Sequence, residues 1–148
     1  MPEGFRFSFP IRVRYSEIDV QGIVYNSRYL EYVDVALTEY FRAIGVPYQE
    51  LVDQHGCDPS LVKASLEFKR AARFDERLRI YARVTSIGRT SFQMEFQILR
   101  EATDELITSA QIVYVNLDKQ TQSSRPIPEG IRRRIETFEG ILTPQQGQ

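Results

Sequence analysis

The chain predicts an α+β fold, one five-stranded antiparallel sheet wrapped around a single long helix, on three observations. Apolar and polar residues alternate over five separate stretches, the period of a half-buried strand. One stretch after Asn26 instead carries a long stripe at helical spacing. The breaks between the later alternating stretches are short enough for antiparallel hairpins.

The first strand is read from Phe5 to Tyr15, where Phe5, Phe7, Phe9, Ile11, Val13 and Tyr15 alternate with mostly polar residues. Pro10 cannot donate to a ladder, so it points to an edge or a bulge. Asn26 and Ser27 are both good N-cap types. From about Ser27, apolar residues recur at Tyr29, Leu30, Val33, Ala36, Leu37, Tyr40, Phe41 and Ile44. Gly45 suits the position just past a helix end, and Pro47 follows. Pro47 to Gln54 reads as a second, shorter helix.

The period then becomes two. Val62, Ala64, Leu66 and Phe68 form one strand, Leu78, Ile80, Ala82 and Val84 the next, and Phe92, Met94, Phe96 and Ile98 the third. The last, about Leu106 to Leu117, is apolar on both faces in places, which suits an interior or covered strand. Pro128 opens a closing helix with Ile131, Ile135 and Phe138 on one side; Arg132, Arg133 and Arg134 are expected on its wet side. Residues 1–139 read as a single domain and 140–148 as a loose tail.

Composition narrows the function. The 148 residues are 42% hydrophobic and 26% charged, enough for one domain with a real core. A net charge of −1 supplies no field for nucleic acid. The single cysteine, Cys57, excludes an intrachain disulfide, and Met1 to Gly4 lacks the features of a signal peptide, so a cytoplasmic protein is expected. No apolar run is long enough to span a bilayer, so no membrane partner is expected. No group of residues has metal-ligand spacing, and no cofactor is called for. His55, the only histidine, reads as a solvated loop residue, although a pair with Cys57 is the alternative.

Chemistry concentrates where the first strand runs out and the long helix begins. A helix N-terminus presents unpaired N–H groups and partial positive charge, able to polarise a carbonyl and hold an oxyanion. Asp19 lies within reach of such a site. The plain alternative is an acid that complements the helix dipole. Glu17 is the nearest rival but is expected to be solvated. Gly22 suits a sharply bent loop that lets backbone approach a ligand.

The run Tyr15-x-x-x-Asp19-x-x-Gly22-x-Val24-Tyr25-Asn26-x-x-Tyr29-Leu30, with Asp34-x-Ala36-x-x-Glu39 on the helix, resembles the 4-hydroxybenzoyl-CoA thioesterase branch of the hot-dog-fold acyl-CoA thioesterases. The likeness continues through Arg73 to Glu76, Gly88 to Phe92 and Pro126 to Pro128. It implies a hot-dog fold and hydrolysis of an aliphatic or aromatic acyl-CoA. It makes Asp19 the catalytic carboxylate, acting as nucleophile or as general base, with the Asn26 amide in the oxyanion hole. A hot-dog dehydratase would instead resemble its family in a helix-side histidine, which is missing here.

On the same likeness Arg89, with Ser91, would meet the CoA phosphates; a polar turn is the equal alternative. Gly22, Tyr25 and Tyr29 are the remaining substrate-binding candidates, although aromatic residues on a helix are more often core. Sites in this family lie between subunits, and an open sheet edge invites pairing, so a homodimer or a homotetramer built as a dimer of dimers is expected. A non-catalytic module that binds acyl-CoA or a related metabolite, and a thioesterase for acyl-carrier protein, are the other readings.

Overall fold

A computed structural model describes residues 2–141. The order of elements is β1 (Phe7–Arg12), α1 (Arg28–Ala43), α2 (Tyr48–Asp53), β2 (Pro59–Phe68), β3 (Arg77–Ile87), β4 (Ser91–Arg100), β5 (Leu106–Asp118), β6 (Ser123–Ser124) and α3 (Glu129–Glu139). Five long antiparallel strands run in the order β1-β3-β4-β5-β2, and the two-residue β6 pairs with β5 as a sixth. The tail read at 140–148 lies outside the described residues beyond Ile141.

The expected wrapping of sheet around helix is present. Tyr29, Tyr32, Val33, Ala36, Leu37, Tyr40 and Phe41 of α1 are buried in one cluster with Leu78, Ile80, Phe92, Met94, Phe96, Ala110, Ile112 and Tyr114 of the sheet. Burying each large apolar side chain contributes about 1.5–3 kcal/mol, so the face of α1 against the sheet is the main hold. The helix stops as its sequence dictates. Gly45 takes a φ of 94°, its N–H donates to the Arg42 carbonyl at 3.1 Å, and the Val46 N–H donates to the Phe41 carbonyl at 2.9 Å. That pair of bonds is the Schellman arrangement, which a residue with Cβ would strain.

Three expectations need correction. The alternation from Phe5 to Tyr15 is not one strand, because β1 ends at Arg12 and Tyr15–Glu17 form a 3-10 turn that leaves Tyr15 exposed. Glu17 is not solvated, being only 2% exposed. Arg132 is not on the wet side of α3. It is buried, and its guanidinium donates to the Gly88 carbonyl at 2.7 Å, pinning α3 to the β3–β4 hairpin. No helix among the described residues is long and apolar enough to cross a membrane.

Candidate active site

Three segments meet at the start of α1. Residues 18–24 fold into a tight hairpin, with Ile18 bridged to Val24 and the Asp19 N–H donating to the Ile23 carbonyl at 2.8 Å. Gly22 closes its turn: its N–H donates to the Asp19 carbonyl at 2.9 Å and its φ is 80°. An added Cβ at Gly22 would meet nothing within 4 Å, so the glycine is there for the bend rather than for a close approach. The hairpin is held against the segment after β2 by Ile23 bridged to Arg73 and by the Val24 N–H on the Ala72 carbonyl at 2.8 Å.

Behind the hairpin stands Glu17. It accepts the Arg14 backbone N–H at 2.7 Å, the Arg14 guanidinium at 2.9 and 3.0 Å, and the Tyr32 hydroxyl at 2.9 Å. Its own carbonyl takes the Tyr25 N–H at 3.0 Å. Burial would push its carboxyl up, but the bonds from Arg14 and Tyr32, with the Arg14 charge, outweigh that and hold it below the ordinary value. Tyr32 is pushed up in turn, by its burial and then by its bond to Glu17. This carboxylate is a structural post that fixes the entry into α1.

The helix start itself is left open. Ser27 is the N-cap residue, yet its hydroxyl makes no capping bond. Among the described residues no partner takes the Asn26 N–H. A cavity of about 260 Å³ sits there, lined by Ile23, Val24, Asn26, Tyr29, Phe68, Lys69, Arg70 and Ala71. Tyr29 is 2% exposed, edge-on to Tyr32 at 5.8 Å and tilted against Phe68 at 5.7 Å, and its hydroxyl accepts the Ala72 N–H at 3.4 Å. It is therefore both core and cavity wall.

The sequence candidates divide. Asp19 does not line the cavity, but it faces Ile23, which does, across the hairpin. One of its carboxylate oxygens, Oδ1, accepts the Gln21 N–H at 2.8 Å; the other has no partner among the described residues. Tyr25 is 56% exposed and outside the cavity lining.

Arg89 and Ser91 lie elsewhere in the chain's own frame. Ser91 pairs through Val115 with Ser60, whereas the cavity sits at Phe68, eight residues further along β2. At about 3.3 Å per residue that separation is roughly 26 Å. Sequence reading missed Phe68 to Ala71 as cavity wall, since nothing local links them to a helix some forty positions earlier. It also treated Cys57 as a possible nucleophile. Cys57 is fully buried, with its thiol pushed up to about 12 by that burial, while His55 is exposed, so the two do not form a reactive pair.

Residues 13–135, most of the chain, match the thioesterase-like superfamily. The chain belongs to that family. Among curated proteins, this thioesterase-like chain is 27% identical over 120 residues to the acyl-CoA thioesterase YbgC of Haemophilus influenzae, covering 81% of this chain and 88% of that protein. It is 23% identical over 127 residues to a 1,4-dihydroxy-2-naphthoyl-CoA hydrolase of Synechococcus elongatus, covering 85% and 92%. Among solved structures, a thioesterase of Thermus thermophilus complexed with coenzyme A and Zn superposes with a TM-score of 0.81 at 26% identity, over 95% of this chain and 99% of that one. The sheet curled around α1 is thus the hot-dog fold of the thioesterases.

Proposed function

We propose that this chain hydrolyses acyl-CoA thioesters to the free acid and CoA. The observation that carries the reading is the unengaged Asn26 amide at the mouth of α1, inside a cavity bounded by the hairpin that presents Asp19. Membership of the thioesterase-like family and the activities named for the curated relatives support it.

In the proposed reaction the thioester oxygen rests against the Asn26 N–H and the positive end of α1, which stabilise the negative charge that develops there. The Asp19 carboxylate acts in one of two ways. It removes a proton from water as the water oxygen bonds to the carbonyl carbon, or it bonds to that carbon itself and yields an anhydride that water later opens. In both routes the C–S bond breaks and its electron pair leaves with the CoA thiolate, which needs little acid assistance. A second copy of the chain completes the site, because Arg89 and Ser91 can approach the cavity only from a partner subunit.

The test is release of free thiol from a panel of aliphatic and aromatic acyl-CoAs by wild type and Asp19→Asn. The variant keeps an acceptor for the Gln21 N–H, so the turn survives while the charge is lost. A fall in kcat of about a hundredfold or more is expected. Undiminished turnover would remove Asp19 from the mechanism, and absence of thiol release by wild type across the panel would overturn the hydrolase reading. The same acyl group offered on acyl-carrier protein tells the two carriers apart.

A further inference from the structure

Residues 69–76, between β2 and β3, belong to no strand, yet they wall the Asn26 cavity and support the hairpin that presents Asp19. Lys69, Arg70 and Ala71 line the cavity. Ala72 is fully buried, its N–H on the Tyr29 hydroxyl at 3.4 Å and its carbonyl taking the Val24 N–H at 2.8 Å. Arg73 is bridged to Ile23, whose carbonyl takes the Asp19 N–H at 2.8 Å. The segment then turns sharply at Asp75, whose φ of 66° lies in the left-handed region that glycine alone enters freely. Irregular backbone of this kind depends on contacts from outside to keep its shape.

One guanidinium supplies them. Arg100, the last residue of β4, has a side chain only 15% exposed. Its Nη2 donates to the Ala71 carbonyl at 3.0 Å, its Nε to Glu105 at 3.2 Å and its Nη1 to Glu76. Glu76 divides its carboxylate: Oε2 takes Arg100, and Oε1 takes the Arg73 N–H at 2.6 Å. A rigid planar fork reaches three acceptors in different directions at once, which the point charge of a lysine cannot. The pair Arg83–Glu95 makes a useful contrast. It is also close, at 2.6 Å, but it joins two strands that the backbone ladder already holds at that register.

We infer that Arg100 is a positioning residue for the proposed reaction: through Ala71 it fixes the cavity wall, and through Glu76 and Arg73 it fixes the hairpin on which Asp19 stands. The contacts run without a gap from Arg100 to Glu76, to the Arg73 N–H, across the bridge to Ile23 and on to the Asp19 N–H. Arg100 does not line the cavity itself, so it acts through these neighbours. The linkage stands on the contacts alone, while its effect on turnover rests on the hydrolase reading above.

Amide hydrogen exchange tests the linkage with no substrate present. In Arg100→Gln the Asp19 and Val24 amides are expected to exchange about tenfold faster, while amides in the middle of β3 keep their rates. Arg83→Gln removes a comparable ion pair that has no tie to the hairpin, and it is expected to leave the Asp19 and Val24 amides unchanged. Glu76→Gln keeps an acceptor for the Arg73 N–H but loses the ion pair. It is expected to speed the same two amides by a smaller factor, and it carries the test should Arg100→Gln not fold.

Thiol release tests the consequence. Arg100→Gln is expected to lower kcat about tenfold, because small displacements of a reacting group are costly. In the Asp19→Asn background the same substitution is expected to change kcat by less than about twofold, since the carboxylate it positions is already gone. A merely structural role would lower both backgrounds alike. Equal losses in the two backgrounds, or unchanged exchange at Asp19 and Val24, would overturn the proposal. Faster exchange in the variant, with no thiol release from any acyl-CoA by wild type, would uphold the linkage and sink the hydrolase reading; thiol release with unchanged exchange would do the opposite.

Discussion

Glu17 and Asp19 are two residues apart on one loop, and their surroundings could hardly differ more. Glu17 is enclosed and holds three donor groups: the Arg14 amide, the Arg14 guanidinium and the Tyr32 hydroxyl. Asp19 spends one oxygen on a turn and keeps the other unengaged. A carboxylate saturated with hydrogen bonds is a poor base and nucleophile, since the lone pairs it would use are occupied. The difference fits the proposed division of labour: the first acid fixes where the loop and helix meet, and the second keeps an oxygen unengaged.

Exchanging acid for amide at each position should therefore split activity from stability. For Asp19→Asn the kcat loss of a hundredfold or more should come with a urea midpoint close to wild type. A large shift of that midpoint would mean that Asp19 is a structural residue as well. Glu17→Gln should do the converse. Losing a buried, hydrogen-bonded charge should cost about 2 kcal/mol in urea unfolding. Thiol release should persist at temperatures where the variant remains folded.

The pH dependence sharpens the same contrast. Because the folded Glu17 carboxyl lies below its ordinary value of 4.5, its stabilising contribution is complete above that value and is lost as pH falls through the folded one. The stability gap between wild type and Glu17→Gln should hold steady near neutrality and narrow in acid. A gap that widens in acid would contradict the bonding described for Glu17. The smallest effect is expected from Gly22→Ala, which forces a Cβ into a left-handed backbone in otherwise open space. It should cost about 1 kcal/mol, with kcat reduced further than that loss of stability explains because Asp19 shares the turn. Unchanged kinetics would show that the position of the turn does not matter to the reaction.

What could be read from the residues alone follows from how local each signal is. α1 and its end at Gly45 were legible because helical spacing and a left-handed cap are written within a few residues of one another. The strands were legible to within about three residues for the same reason. Tyr15 was misplaced, since the alternation continues in the sequence while the backbone turns to let Glu17 reach back to Arg14. Arg132 was misjudged because the Gly88 carbonyl that it meets lies forty-four positions away; Glu17 is bonded locally by Arg14, but Tyr32, its buried partner, lies fifteen positions away. The family likeness singled out Asp19 and Asn26; Asn26 lies just before the start of α1 and Asp19 in the hairpin that precedes it, and no periodicity would have joined Asn26 to Phe68.

Tyr29 ties the cavity at the start of α1 to the architecture in a way that limits how this chain could change. Its ring is at once a brick in the interior and a boundary for whatever molecule enters, so trimming it to admit a bulkier guest would also hollow out the centre of the fold. New substrate preferences would arise more readily at the half-exposed Phe68, where a side chain can vary without loosening the interior.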